Sequence, residues 1–184
     1  LRYGVESEVV STLKEIGNNP KDDIISLLFS RYKDSLLTDT KIAFVDYFSN
    51  LKSIPPYILD SIFNDVSSDL LERRYKSSLI NCLGKKGGVR EGLFLLDSLD
   101  SYDNILKNNA ADAISKMKVK EIGKPLLDRL NLSDSDSDKF LNNDIKIKLI
   151  IFFGENQTTE AVSYLQKIIA NNESDKFLKM FSMV

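Results

Sequence analysis

A period of about 34 residues most constrains what this chain can fold into. Apolar residues three positions apart recur as pairs along the sequence, and the first members of successive pairs are 35, 32, 34 and 36 residues apart. These first members, called the anchors below, are Leu13, Phe48, Ile80, Ile114 and Ile150. Because such a period is typical of stacked helical hairpins, the spacing predicts a repeat protein.

A second apolar segment follows each pair, and turn residues separate the two segments. In the last complete repeat this segment is AVSYLQKII, whose apolar residues fall on one face of a helix. The turns contain glycine, and we expect Gly17, Gly84 and Gly154 to end the first helices, since glycine accepts the left-handed conformation. The predicted unit is therefore helix, short turn, helix, short loop, with a sixth copy beginning at Asp175.

The stretch from Ile145 to Phe153 is ambiguous on composition alone, because its density of Ile, Leu and Phe is also typical of a buried strand. Its place in the period assigns it to a first helix, which we expect neighbouring helices to cover on most sides. First helices are predicted near 7–17, 39–52, 71–84, 104–118 and 140–153, and second helices near 22–34, 56–67, 89–100, 122–131 and 159–170.

Composition is that of a folded domain, because 42% of the 184 residues are hydrophobic and the net charge is only −2. The chain has no His and no Trp, and Cys82 is its single cysteine, which excludes an intramolecular disulfide and a CxxC zinc site. We expect Cys82 to be a buried hydrophobe. No apolar run approaches the ~20 residues that span a bilayer. No cofactor is predicted, and the cellular compartment is not indicated.

The segment DIKIKLIIFFGENQTTEAVSYLQKII, residues 144–169, resembles a HEAT repeat. It has Asp-Ile-Lys at the start of its first helix, then an apolar pair with Gly, and then a Glu-Ala-Val-x-x-Leu opening to its second helix. Residues 78–101 and 110–130 fit the same frame. The tetratricopeptide repeat has a similar length, but that family favours Trp in its first helix and small Ala residues in both helices.

The resemblance implies an all-α fold, a right-handed α–α superhelix of about five helix pairs plus the start of a sixth. One repeat domain would then span residues 1–184. The repeats are predicted at about 5–37, 38–69, 70–102, 103–137 and 138–172, with a partial repeat at 173–184.

The resemblance also implies a function, because second helices usually line the concave side of such solenoids and bind other macromolecules there. A non-catalytic scaffold for protein–protein interaction is the predicted function, and no residue is predicted to be catalytic. The alternative is a regulatory or substrate-docking module of a larger enzyme or of a membrane-associated assembly. HEAT-like DNA glycosylases share the fold only, and the aromatic-lined cleft that an enzyme of that kind needs has no signature here.

Charge is distributed unevenly, with 12 basic and 8 acidic residues in 70–129 between two acidic ends. We predict that Arg90, Lys124 and Arg129 project from successive second helices and form a patch for an acidic partner protein. Ordinary solvated helix faces are the other interpretation of the same charges. The overall pI near 5.3 argues against nucleic acid as the partner.

The sequence LSDSDSDKF, residues 132–140, places Asp134, Asp136 and Asp138 at the alternation of the first ligands of a Ca²⁺ loop. Lys139 stands where such a loop needs Gly, and Ile145 stands where it needs Glu. No metal site is therefore predicted, and we expect a solvated loop, with weak Ca²⁺ binding left open.

The last residues, FLKMFSMV, are rich in large apolar side chains. We expect Phe177, Met180, Phe181 and Met183 to lie on an uncovered edge of the sixth first helix. The corresponding expectation is that the native chain continues beyond Val184, since solenoids normally close their ends with a polar face.

Overall fold

The computed structural model describes residues 6–68, 71–135, 141–171 and 174–183. Regular structure in these ranges is entirely helical, which confirms the predicted all-α class. Within the described residues, three short 3-10 helices accompany the α-helices, at Ser98–Asp100, Lys120–Ile122 and Thr159–Ala161. The α-helices of the described ranges are α1 Glu6–Ile16, α2 Asp22–Asp34, α3 Thr38–Asn50, α4 Pro56–Val66, α5 Arg73–Lys86, α6 Val89–Asp97, α7 Asn104–Lys116, α8 Gly123–Ser135, α9 Asn143–Asn156, α10 Val162–Ala170 and α11 Lys176–Ser182.

The ambiguous stretch from Ile145 to Phe153 lies wholly inside α9, so its assignment to a helix is confirmed. Burial explains its strand-like composition, since α9 packs against α7, α8 and α11 and needs apolar side chains on most of its surface. Asn142 caps the start of this helix, since its side-chain oxygen accepts a hydrogen bond of 2.9 Å from the Ile145 N–H.

Glycine ends only one of the three first helices for which this was expected. Gly17 follows α1 with a φ of 73°, which is the left-handed conformation expected of a helix-ending glycine. In contrast, Gly84 and Gly154 lie inside α5 and α9, so those two predictions are wrong. A helix tolerates an internal glycine at about 1 kcal/mol relative to alanine, and α9 ends instead at Gln157, which adopts the left-handed conformation with a φ of 52°.

The chain divides into two compact units, Leu1–Lys86 and Gly87–Val184. In the first unit, α3 lies between α1 and α5, while α2 packs on α3 and α4 packs on α5. The first helices of successive predicted repeats are therefore direct neighbours in this unit.

The second unit repeats this order of contacts. Here α9 lies between α7 and α11, while α6 packs on α7, α8 on α9 and α10 on α11. The second helices α6 and α8 also pack against each other. Each unit is thus a row of first helices with second helices packed against that row.

The anchors are all buried, as predicted. Their exposed fractions are 4% for Leu13, 0% for Phe48, 1% for Ile80, 0% for Ile114 and 2% for Ile150. Side chains in these positions contribute to the core of their unit, where truncation leaves a cavity.

The last helix carries the predicted apolar edge. Phe177, Met180 and Met183 are exposed on α11 and directly after it, so their expected exposure is confirmed, whereas Phe181 is half-buried. Val184 lies outside the described residues.

Candidate functional site

Exposed apolar side chains mark the second helices of the Gly87–Val184 unit. Val89, Leu93, Leu132 and Val162 are between 41% and 51% exposed and belong to α6, α8 and α10. Among the first helices of this unit, α7 exposes Ile105, α11 exposes Phe177 and Met180, and α9 exposes no such residue among those described. We call the following set the second-helix surface: Val89, Arg90, Leu93, Lys124, Leu132 and Val162.

Helix α6 shows how one short sequence produces two apolar faces. Gly92, Leu95 and Leu96 face the core, whereas Val89 and Leu93 are four residues apart and share the solvent face. A methyl group at Gly92 would lie 2.8 Å from the Cγ2 atom of Ile122. Glycine is therefore needed for the close approach of α6 to the turn that begins α8.

Arg90 lies in the first turn of α6 and is half-exposed. Its Nη2 atom is 2.6 Å from the Oε1 atom of Glu91, whose residue is buried. The other carboxylate oxygen of Glu91 accepts a hydrogen bond of 2.8 Å from the Gly88 N–H, ahead of the helix. Glu91 thus both satisfies the helix start and holds the guanidinium at the protein surface.

Arg129 has a structural role inside the unit. Its side chain is only 11% exposed, and its Nη2 atom lies 2.6 Å from the Oδ1 atom of Asp100, in the turn that follows α6. This ion pair ties α8 to the end of α6. The guanidinium is consequently directed at Asp100, within the unit.

Lys124 projects from α8 in a different direction from Arg129. Five residues separate them, which corresponds to about 140° around a helix, and Lys124 is exposed whereas Arg129 is mostly buried. The structure therefore leaves Arg90 and Lys124 exposed on two helices that pack together, and it does not group Arg129 with Lys124. Binding by any of the three stays a prediction.

Sequence reasoning missed the apolar part of the second-helix surface. The available signal was a surplus of apolar residues, because Val89 and Leu93 in α6 and Leu132 in α8 fall outside the stripe that faces the core. Arg129 was predicted as a binding residue from its charge alone. Its contact with Asp100, 29 residues away in the sequence, depends on how the helices pack.

The first unit holds a buried polar cluster that joins three helices. Tyr32 of α2 donates a hydrogen bond to the Asp65 carboxylate of α4, and the Tyr32 and Tyr75 hydroxyl oxygens are 2.7 Å apart. Tyr75 of α5 donates to the same carboxylate at 3.1 Å. Burial and the hydrogen bond to Asp65 raise the pKa of Tyr32, and burial raises the pKa of Tyr75. Both phenols therefore remain protonated donors, which suits a structural contact and not base chemistry.

Cys82 is buried, as expected for a small hydrophobe in α5. Burial raises the pKa of its thiol to about 12, so a negligible fraction is thiolate near neutral pH. This thiol is therefore not an accessible nucleophile.

The acidic stretch of residues 132–140 is not wholly a loop, because α8 continues to Ser135. Asp134 is paired with Lys146, whose Nζ atom is 2.5 Å from the Oδ1 atom. Asp136 and Asp138 lie outside the described residues. Within the described ranges, no three Cys, Asp or Glu side chains cluster in a way that could hold a metal ion.

No protein-family model matches the chain, and no curated protein matches it in sequence. Of the helices that the structure describes, none is both long enough and apolar enough to cross a membrane.

Proposed function

We propose that this chain is a HEAT-like helical-repeat module, an α-solenoid whose role is to bind another protein without catalysis. Two features support the repeat: all five anchors are buried, and alternate helices pack side by side in each unit. Stacking of this kind lets every hairpin bury an apolar face that it could not bury alone.

The proposal of protein binding rests on the exposed apolar residues of the second-helix surface. Leu93 and Leu132 are 42% and 51% exposed on the solvent faces of α6 and α8. Large apolar side chains exposed on adjacent helices are typical of interaction sites, where a partner covers them and recovers about 1.5–3 kcal/mol for each full side chain.

Arg90 and Lys124 give the surface its preference for an acidic partner. Both are exposed, and they belong to the same helices, α6 and α8, as Leu93 and Leu132; polar groups of this kind commonly surround the apolar centre of an interface. Exposed cations of this kind accelerate association and impose salt dependence more than they add affinity. Arg129 is not assigned a binding role, because its side chain is only 11% exposed, whereas that of Arg90 is 52% exposed.

The double variant Leu93→Ser/Leu132→Ser tests the apolar part. A partner captured with the full chain should bind this variant at least about tenfold more weakly, which is 1.4 kcal/mol. Ile105→Ser is the matched control, since Ile105 is 47% exposed on a first helix, and it should bind as the wild type does. Equal weakening by the control and the double variant would refute the assignment of this surface.

The charge part has its own variant, Arg90→Glu/Lys124→Glu. Binding measured at several salt concentrations should show slower association and a smaller salt dependence than the wild type. Unchanged salt dependence would exclude the two cations from the interface. Arg129→Glu should instead lower the melting temperature, because it places a second carboxylate beside Asp100.

A further inference from the structure

Two exposed aspartates, Asp97 of α6 and Asp128 of α8, occupy equivalent positions on neighbouring second helices of the Gly87–Val184 unit. Buried residues at the start and along α6 recur 31 residues later, as the pairs Glu91 and Ile122, Gly92 and Gly123, Leu95 and Leu126, and Leu99 and Leu130. Asp97 and Asp128 have the same spacing of 31 residues. Because α6 and α8 also pack together, the two carboxylates lie on the same side of the helix pair.

The solvent face of α6 carries a cation, then an apolar residue, then an anion. At about 100° per residue, its exposed residues fall within about 100° of arc, and they are Val89, Arg90, Leu93 and Asp97. Arg90 belongs to the first turn, and Asp97 is the last residue of the helix, about 10 Å further along the axis. The order along this face is therefore basic, apolar and acidic.

Helix α8 also begins with a cation on its exposed face. Lys124 is the second residue of α8, and Asp128 follows four residues later on the same face, about 6 Å further along the axis. The two helices run in the same direction, since Gly92 of α6 meets the turn before α8, and Asp100 after α6 meets Arg129 within α8. The exposed cations consequently lie at the starts of both helices, and the aspartates lie further along.

This order of charges opposes the helix macrodipole, which favours anions at the start of a helix and cations at its end. Helix α2 has the favoured order, with two aspartates in its first turn and Arg31 and Lys33 in its last turn. Among the described residues, the side chains of Asp97, Lys124 and Asp128 have no hydrogen bond or ion pair. Charges that oppose a local rule without such compensation are expected at functional surfaces.

We propose, as a refinement that rests on the protein-binding function, that the second-helix surface receives an amphipathic helix of its partner in one orientation. That helix carries an acidic residue, a basic residue four to seven positions later on the same face, and apolar residues between them that contact Leu93. Its acidic turn lies over Arg90 and Lys124, and its basic turn lies over Asp97 and Asp128. Since the macrodipole favours acidic residues early in a helix, the partner helix runs parallel to α6 and α8.

Selection from a displayed library of helical peptides, each about 16 residues long, tests this order of charges with the full chain as bait. Enriched peptides should carry Asp or Glu before Lys or Arg, four to seven positions apart. A synthetic copy of one such peptide should bind Leu93→Ser/Leu132→Ser at least about tenfold more weakly than the wild type. Enrichment of uniformly acidic peptides, or of the opposite order of charges, would overturn the proposal and leave the protein-binding function standing. No enrichment, or equal binding to Leu93→Ser/Leu132→Ser, would refute that function and the proposal together.

The double variant Asp97→Lys/Asp128→Lys gives the second measurement. The enriched peptide should bind it about tenfold more weakly, whereas a uniformly acidic peptide should bind it more tightly than it binds the wild type. The variant should be at least as stable as the wild type, because a cation at the end of α6 is favoured by the macrodipole. Unchanged affinity for the enriched peptide, or a lower melting temperature, would overturn the proposal.

Asp34→Lys is the matched control for the change at Asp97. Asp34 is the exposed last residue of α2, a second helix of the first unit, and its substitution makes the same change of charge. The enriched peptide should bind Asp34→Lys as it binds the wild type. Equal weakening by Asp34→Lys and Asp97→Lys would show that binding depends on total charge and not on its position, which would also overturn the proposal.

Discussion

The two units use the same order of helix contacts with different interiors. The first unit is filled by aromatic rings, with Tyr32 and Phe48 in an edge-to-face contact at 5.9 Å between ring centroids and Phe44 stacked near Phe48 at 6.3 Å. In the second unit, the buried face of α7 instead carries small side chains, and Ala110 and Ala111 are almost wholly buried.

Volume explains the difference between the two interiors. In the second unit, the helix that packs against α7 is α9, which carries the buried rings of Phe152 and Phe153. Small buried residues on α7 are thus accompanied by large buried residues on the helix that packs against it, as close packing of an interior requires. The period therefore determines which sequence positions are buried, whereas the size of the side chain at a buried position depends on the residue that packs against it.

The ends of the first helices show a second parallel. The Lys86 Nζ atom donates to the Leu51 carbonyl at the end of α3, at 2.5 Å. The Asn156 Nδ2 atom donates to the Met117 carbonyl at the end of α7, at 2.9 Å. In each unit, the following first helix thus supplies a side chain that satisfies a helix-terminal carbonyl.

The largest expected effect comes from removing a ring in either core. Phe48→Ala and Phe152→Ala should each reduce the free energy of unfolding by about 3–5 kcal/mol, because both rings are buried and the cavities cannot close completely. Urea unfolding followed by circular dichroism measures both losses. A loss below about 1 kcal/mol in one unit would show that its core is not packed as described.

Tyr32→Phe is expected to have the next largest effect on stability and to distinguish the two units. Among the described residues, only the first unit has the tyrosine–aspartate cluster. Losing the hydrogen bonds to Asp65 and Tyr75 should cost about 1.5–3 kcal/mol, because one acceptor is a carboxylate. Tyr47→Phe is the comparison within the same unit. Its hydroxyl donates one bond of 2.8 Å, to the Gly17 carbonyl, and should cost about 0.5–1.5 kcal/mol. The reverse order of the two losses would contradict the proposed role of the cluster.

Asn156→Ala and Lys86→Ala test the parallel between the helix ends. Asn156 is 3% exposed, so its loss should leave a buried carbonyl unsatisfied at a cost of about 1–3 kcal/mol. Lys86 is only half-buried, and water can replace its ammonium, so the expected loss is smaller. The melting temperatures of the two variants test this order. A larger decrease for Lys86→Ala than for Asn156→Ala would contradict the parallel.

High pH should weaken the first unit through its buried phenols. Folding raises the pKa of Tyr32 and Tyr75 above the ordinary value of 10. Below pH 10 both states keep the proton and this contribution to stability is complete. Above it the unfolded chain releases protons first and stability falls, by at most about 1.4 kcal/mol per phenol per pH unit. Unfolding measured from pH 9 to 11 should show a shallower decline for Tyr32→Phe, and identical slopes would contradict the assignment.

The helical class and the positions of most helices could be predicted from the sequence, because burial imposes a period that survives changes of residue size. The anchors and the helices they belong to follow from that period, including α9 with its strand-like composition. The continuation of α5 through Gly84 and of α9 through Gly154 could not be predicted, since the enclosed position of Gly84 and the left-handed conformation of Gln157 depend on tertiary packing. The contact between Arg129 and Asp100 depends on packing in the same way.

Site-specific photo-crosslinking tests the proposed binding surface most directly. A photoreactive phenylalanine is placed singly at Leu93, at Leu132 and at Ile105, three apolar positions of similar exposure on α6, α8 and α7. The account predicts that Leu93 and Leu132 capture the same protein from cell extract and that Ile105 does not. Capture of that protein with equal yield at Ile105, or of different proteins at Leu93 and Leu132, would contradict it.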